Sequence, residues 1–319
     1  MYSPLTQYRH ATLVLILLSA GLVAALALLG AAPPKVLCSL WVTAGVLSAG
    51  IRHIVARIRP DGGASVKAFA IAWPLLTSSL SFAVCHIPAC YSGDKVVWAI
   101  VQMLALLALL SLQTSLWQRR VAIIKHLLLG LIIGLTSTLN PHVLLWVVLQ
   151  PIASYYMRCA SMRNLMSTFT GIVLGIWAVY LAYFFGSGIG AADGMLAAYL
   201  RLFPIPVLPR LGTWCTAYLA YVALLLLIYA MLGLAIDVGQ TVRAEASIAL
   251  VSVLSLVLLT LFALDATHLS THLPMLATML ALQLTFRQAN LRSAIIEWWI
   301  LLIVAVGAAL CLLPCFIAL

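Results

Sequence analysis

"AIIKHLLLGLIIGLTSTLNPHVLLWVVLQPIASYYMR" occupies residues 122–158. It reads as two apolar runs folded about one polar turn. A backbone surrounded by lipid must pair its own N–H and C=O groups, so an apolar run in a membrane is a helix. Asn140 is a good helix N-cap. Pro141 suits a first helical position, where its missing N–H is not needed. The turn therefore falls at Thr138–Pro141, and a second helix starts there. Pro151 removes one helical hydrogen bond and predicts a kink, with Gln150 or Ser154 placed to take the freed carbonyl. Gly130 and Gly134 share one face of the first run and form a narrow packing surface. A crossing takes roughly 17–25 residues. Both runs are at the short end, so the pair reads either as two tilted crossings or as one re-entrant hairpin.

The rest of the chain repeats this pattern. Of 319 residues, 65% are hydrophobic and 8% charged, against about 25% charged in a soluble domain. Apolar runs fall at about 11–31, 36–55, 68–86, 95–117, 122–139, 142–158, 167–186, 213–236, 245–264, 270–286 and 293–316. The expectation is an all-α polytopic bundle of about eleven spans, in the range 9–12, forming one domain over residues 1–319. The first run lacks a convincing cleavage site and reads as a retained span. The seven cysteines are scattered and define no disulfide framework.

Charge supplies an orientation. With the amino terminus in the cytoplasm and every run crossing, thirteen basic residues face inward, Arg119, Arg120, Lys125, Arg158 and Arg163 among them. Four face outward: Lys35, Lys95, Arg201 and Arg210. That asymmetry is the positive-inside pattern, and it places the carboxyl terminus in the periplasm. It also accounts for the net charge of +10 without nucleic acid as a partner. The longest break between runs, 187–212, reads as a periplasmic loop. Its centre, "MLAAYLRLF", has the look of a short interfacial helix.

Several polar groups stand out against the apolar background. Asn140, His142 and Gln150 are candidate substrate or lipid contacts, as are Arg119, Arg120 and Glu297. Glu297 is a suspect because a carboxylate inside a span is costly. Asp265, His268 and His272 are spaced three and four apart. One helical face would align a carboxylate and two imidazoles, a plausible zinc or iron set. The same residues also read as polar groups of a turn. Cys85 and Cys90 flank a short segment and form a disulfide if the backbone turns; otherwise they are small buried apolar residues. Asp237 is placed for a local ion pair with Arg243. No glycine-rich phosphate loop, trustworthy nucleophile triad or haem-like histidine pair is present, and no cofactor is expected.

The stretch "LNPHVLLWVVLQPIASYYMRCASMRNLMSTFTGIVLGIWAVYLAYFFG" has Asn140–Pro141 opening a run, then Arg158 and Arg163, then Gly171 and Gly175 on a long apolar helix. In these features, and in "FRQANLRSAIIEWW" before the last run, it resembles a family of uncharacterised polytopic membrane proteins from Bacteroidota. The resemblance implies a bacterial inner-membrane protein and carries no catalytic residue. The leading expectation is a non-catalytic integral subunit of an envelope complex, with lipids and other integral membrane or envelope proteins as partners. The alternatives are a transporter of lipid or small molecules, or an enzyme acting on a lipid-linked substrate at the periplasmic face.

Overall fold

Apolar residues that must pair their own backbone fold locally, and helices follow one another along the chain. The computed structural model describes residues 4–58, 62–87, 93–119, 121–138, 141–200, 213–235, 241–264, 269–288 and 294–317. Among these residues there are twelve α-helices and no strand. They are α1 (Pro4–Leu28), α2 (Pro34–Ile58), α3 (Gly62–His86), α4 (Gly93–Ser115), α5 (Ile123–Ser137) and α6 (Leu145–Tyr156). Then come α7 (Met162–Ser187), α8 (Ile189–Leu200), α9 (Thr213–Ala235), α10 (Val242–Leu264), α11 (Leu269–Gln288) and α12 (Ala294–Ile317). Seven of them, α2, α3, α4, α7, α9, α10 and α12, contain a stretch long and apolar enough to cross a membrane. The chain is a multi-pass membrane protein.

Two elements differ from the sequence expectation. Pro141 begins a 3-10 turn, Pro141–Leu144, and the α-helix starts only at Leu145. The tighter 3-10 spacing suits a chain leaving α5 through a sharp reversal. A twelfth helix, α8, fills the start of the 187–212 segment, beginning at Ile189 and so ahead of "MLAAYLRLF". Gly188 has φ +86. A residue without Cβ adopts that conformation freely, so it ends α7 and lets α8 begin at once.

The chain divides into two compact units. The first comprises residues 1–104, 208–262 and 266–319; the second comprises 105–207 and 263–265. In the first unit, α3 and α11 are central. Every residue from His272 to Phe286 is buried. Hydroxyls on such helices commonly bond to their own backbone, although Ser81 Oγ on α3 has no partner. On α3, Thr77 Oγ1 donates to Trp73 O at 2.8 Å, Ser78 Oγ to Leu75 O at 2.9 Å and Ser79 Oγ to Leu76 O at 3.2 Å. Other polar groups tie helix to helix. Gln283 Nε2 on α11 donates to Ser252 Oγ on α10 at 3.0 Å. Tyr218 on α9 stacks on Phe82 of α3 at 4.0 Å and donates its hydroxyl to Ser78 at 3.3 Å.

In the second unit, α5 and α7 run parallel. Ala122 N–H donates to Asn164 Oδ1 at 3.3 Å, and His126 Nδ1 lies 3.2 Å from Thr168 Oγ1; both pairs are 42 residues apart in sequence. Ser167 Oγ donates to Ile123 O at 2.7 Å. A constant separation with both numbers rising means parallel helices. The seam between them is closed by glycine on both sides. A Cβ on Gly130 would collide with the Thr168 carbonyl, one on Gly134 with the Ile172 carbonyl, and one on Gly171 with the Leu127 carbonyl. A Cβ on Gly175 would sit 2.7 Å from the Leu131 carbonyl oxygen. Each obstruction is backbone, which cannot swing away. α6 returns the chain between the two parallel helices, and Gln118 N–H donates to Met157 O at 3.0 Å. The 122–158 hairpin therefore starts and finishes at one end of this unit.

The seam makes a direct prediction. Gly171→Ala should lower stability by about 1–3 kcal/mol, the usual cost of forcing volume into a packed contact. Gly186→Ala, with nothing within 4 Å of the added carbon, should leave it unchanged or slightly raised. Thermal melts of the detergent-purified protein, read by size-exclusion chromatography, will separate the two.

Candidate functional site

Four hydrogen bonds gather the helix ends of the second unit. Lys125 Nζ in the first turn of α5 donates to Ser115 Oγ at the end of α4, at 3.0 Å. Gln118 joins the start of α5 to Met157 at the end of α6. Ser161 Oγ caps α7 by accepting from Asn164 N–H at 3.2 Å, and Asn164 Nδ2 donates back to Cys159 O at 2.8 Å. Serine at an N-cap satisfies a helix donor that has no partner within the helix. The ends of α4 and α6 and the starts of α5 and α7 thus form one structural corner.

The helices of this unit bury neutral polar groups with unspent hydrogen-bonding capacity. Gln150 Nε2 donates to Gln113 Oε1 at 3.1 Å. Gln113 Nε2 has no partner, although the residue is 4% exposed. Ser154 follows Gln150 by one turn and is fully buried. Its hydroxyl lies beside the Cys159 thiol and has no nitrogen or oxygen partner. Thr168 Oγ1 donates its single proton to Asn164 O at 3.1 Å. It therefore accepts from His126 Nδ1, and the proton of a neutral imidazole sits there. His126 Nε2 is left as a buried acceptor without a partner. Unpaired donors and acceptors in a membrane interior are costly.

The rim is cationic. Between residues 105 and 207 the basic residues are Arg119, Arg120, Lys125, Arg158, Arg163 and Arg201, and Asp193 is the single acid. Asp193 accepts from Tyr180 OH at 3.3 Å, on α8 and the second half of α7. Arg119, Arg158 and Arg163 are exposed at the gathered end, and the Arg158 guanidinium lies 5.7 Å from the centre of the Trp117 ring. Gln118 (φ 55) and Arg158 (φ 53) are the positive-φ non-glycine residues among those described. Arg158 closes α6 as a Schellman cap: its N–H donates to Tyr155 O at 2.9 Å and Cys159 N–H to Ser154 O at 2.9 Å. Glycine usually holds that position.

The sequence candidates fare unevenly. Gln150 is buried against Gln113 and does not meet His142, since about two helical turns, roughly 12 Å, separate them along the chain. Neither Gln150 nor Ser154 takes a carbonyl freed by Pro151: the amide of Gln150 is committed to Gln113, and Ser154 Oγ has no nitrogen or oxygen partner. Arg119 is exposed at the cationic rim. Asn140, Arg120, Asp265, His268, Cys90 and Asp237 lie outside the described residues. His142 falls in the 3-10 turn and Glu297 in the first turn of α12; their side chains lie outside the described ones. His272 is buried near the start of α11. Cys85 is a free thiol at the end of α3. Its neighbour His86 is a helix tie: Nε2 donates to Cys311 O at 2.8 Å with Cys315 Sγ 3.9 Å away, and Cys215 Sγ donates to the His86 carbonyl at 3.3 Å. Among the described residues, no three His, Cys, Asp or Glu side chains are grouped to hold a metal ion.

Sequence reading missed the unpaired polar atoms of Gln113, His126 and Ser154, because each is an isolated polar residue in an apolar run. Comparison with family models, with curated proteins and with solved structures finds no match to this chain. Roles for its residues therefore rest on its own geometry.

The Gln113–Gln150 pair can be tested by a double-mutant cycle. Gln150→Leu alone should cost about 1–2 kcal/mol, because it strands the Gln113 carbonyl in a dry interior. Gln113→Leu combined with Gln150→Leu should recover most of that loss, since both unmet groups are gone. Thermal melts of the four proteins give the coupling.

Proposed function

We propose that the chain is a non-catalytic integral subunit of a bacterial envelope complex. It sits in the inner membrane with about eleven crossings, amino terminus in the cytoplasm and carboxyl terminus in the periplasm. The observation that carries this reading is the α5–α7 seam. One face of α7, from Asn164 to Gly175, is spent on backbone-to-backbone contact with α5. Phe169, Val173, Trp177, Leu181 and Phe184 of the same helix remain exposed. A rigid seam behind an aromatic-rich apolar face suits a scaffold that holds membrane neighbours. The interhelical bonds of Gln283, Tyr218 and His86 fit the same purpose, because they use polarity to join helices. Gentle solubilisation of native membranes, followed by affinity purification, should return other envelope proteins in a fixed ratio to this chain. Recovery of the chain alone would refute the reading.

A second reading has its own support. The unspent polar atoms of Gln113, Ser154 and His126 are what a path for a small polar solute or a lipid headgroup would require. In that case Ser154→Cys, made in a Cys159→Ala background, reacts with a small hydrophilic thiosulfonate in intact membranes. Complete protection of the new thiol removes the transporter reading.

A further inference from the structure

We infer that the cationic end of the second unit is a binding site for a phosphate-bearing headgroup, the natural source being an anionic phospholipid of the adjacent leaflet. Four basic residues of the described chain lie at this end, Arg119, Lys125, Arg158 and Arg163, and Asp193, the single acid of residues 105–207, is on α8. Three of their side chains, Arg119, Arg158 and Arg163, are exposed, so their charge is available to a ligand. No carboxylate among the described residues of this end neutralises them.

The arrangement is built, and more than a basic loop. Arg158 occupies a left-handed cap position that glycine fills more easily. Its guanidinium carbon lies 5.7 Å from the centre of the Trp117 ring, and the side chain is exposed. Trp117 is carried by the turn whose Gln118 is also left-handed, and Gln118 N–H is bonded to Met157 O. The two strained turns thus set Arg119 and Arg158 in a fixed relation. A planar guanidinium pairs with two phosphate oxygens at once, and a second cation completes a clamp. Tyr155 and Tyr156 adjoin the same cap, with their rings 6.2 Å apart and Tyr155 largely exposed, at the depth where aromatic residues meet headgroups. The orientation proposed above puts this end in the cytoplasmic leaflet, whose anionic lipids match it.

The test uses the full chain purified in detergent. Its melting temperature is measured in mixed micelles with phosphatidylglycerol, with phosphatidylcholine, and with inorganic phosphate alone. The expected result is a larger upward shift with phosphatidylglycerol than with phosphatidylcholine, and little shift with inorganic phosphate. Arg158→Gly is the decisive variant, because glycine relieves the backbone at that position and the protein should fold at least as well. It should cut the difference between the two lipids to about half or less, as should Arg119→Ala. Arg52→Ala, on α2 of the other unit, should leave the difference intact. A full lipid preference in Arg158→Gly, or equal shifts with both lipids in the unaltered chain, would overturn the site. A shift reproduced by inorganic phosphate and lost in Arg158→Gly would keep the phosphate clamp and overturn the lipid as its source.

Discussion

The contact between the α5 and α7 backbones governs the geometry of everything around it in the second unit. Two glycines on each helix let the main chains touch, and the opposing groups are carbonyls, which have no rotamer to yield. Contact this close fixes register. Once Gly130 lies against Thr168 and Gly171 against Leu127, Ala122 must meet Asn164 and His126 must meet Thr168. The polar bonds near the start of the seam are therefore consequences of the glycine contact further along it. Because the helices run parallel, the connection between them has to travel back the whole length of α5. The Pro141–Leu144 turn and α6 do this, and they deliver Arg158 beside Trp117.

Both units handle polarity under the same constraint. Water is scarce inside a membrane bundle, so a buried hydroxyl or amide has three options: its own helix, a neighbouring helix or a guest. In the first unit Thr77, Ser78 and Ser79 return to carbonyls of their own helix, Gln283 and Tyr218 reach across to Ser252 and Ser78, and Ser81 Oγ and Gln102 Oε1 are left over. The second unit uses these options at Asn164, Ser167 and Thr168 and then leaves Gln113 Nε2, Ser154 Oγ and His126 Nε2 over. The three surplus atoms differ in character: an amide donor, a hydroxyl and a bare imidazole acceptor.

The helical, multi-pass character was legible in the sequence because periodic apolar runs and the scarcity of charge are large signals. Gly130, Gly134, Gly171 and Gly175 were legible as narrow faces, but not as faces of one seam. Nothing in residues 122–187 states that α5 and α7 are parallel neighbours; that follows from where α6 ends. The twelfth helix was half legible: "MLAAYLRLF" has helical composition, but its start depends on the backbone of Gly188. The roles given to Gln150 and Ser154 at the Pro151 kink failed for a physical reason. Local spacing shows which groups a side chain can reach on its own helix, and Gln150 turns to Gln113 on another. Left-handed backbone at Gln118 and Arg158 has no sequence signal at all, since neither residue type favours it.

That left-handed arginine also separates two explanations for the charge at this end. A topogenic role requires positive residues somewhere in a loop that stays on one side of the membrane. Arg163 meets that requirement from an ordinary position in the first turn of α7. It places no demand on the backbone of Arg158, where glycine would be easier by about 1 kcal/mol. Moving the same charge to position 160, just past the Schellman bonds, would serve topology without that cost. The guanidinium would then lose Trp117, and the fixed spacing to Arg119 would be lost with it. A cost carried at one residue and recovered only through the orientation of its side chain is what a binding position requires and a topology signal does not.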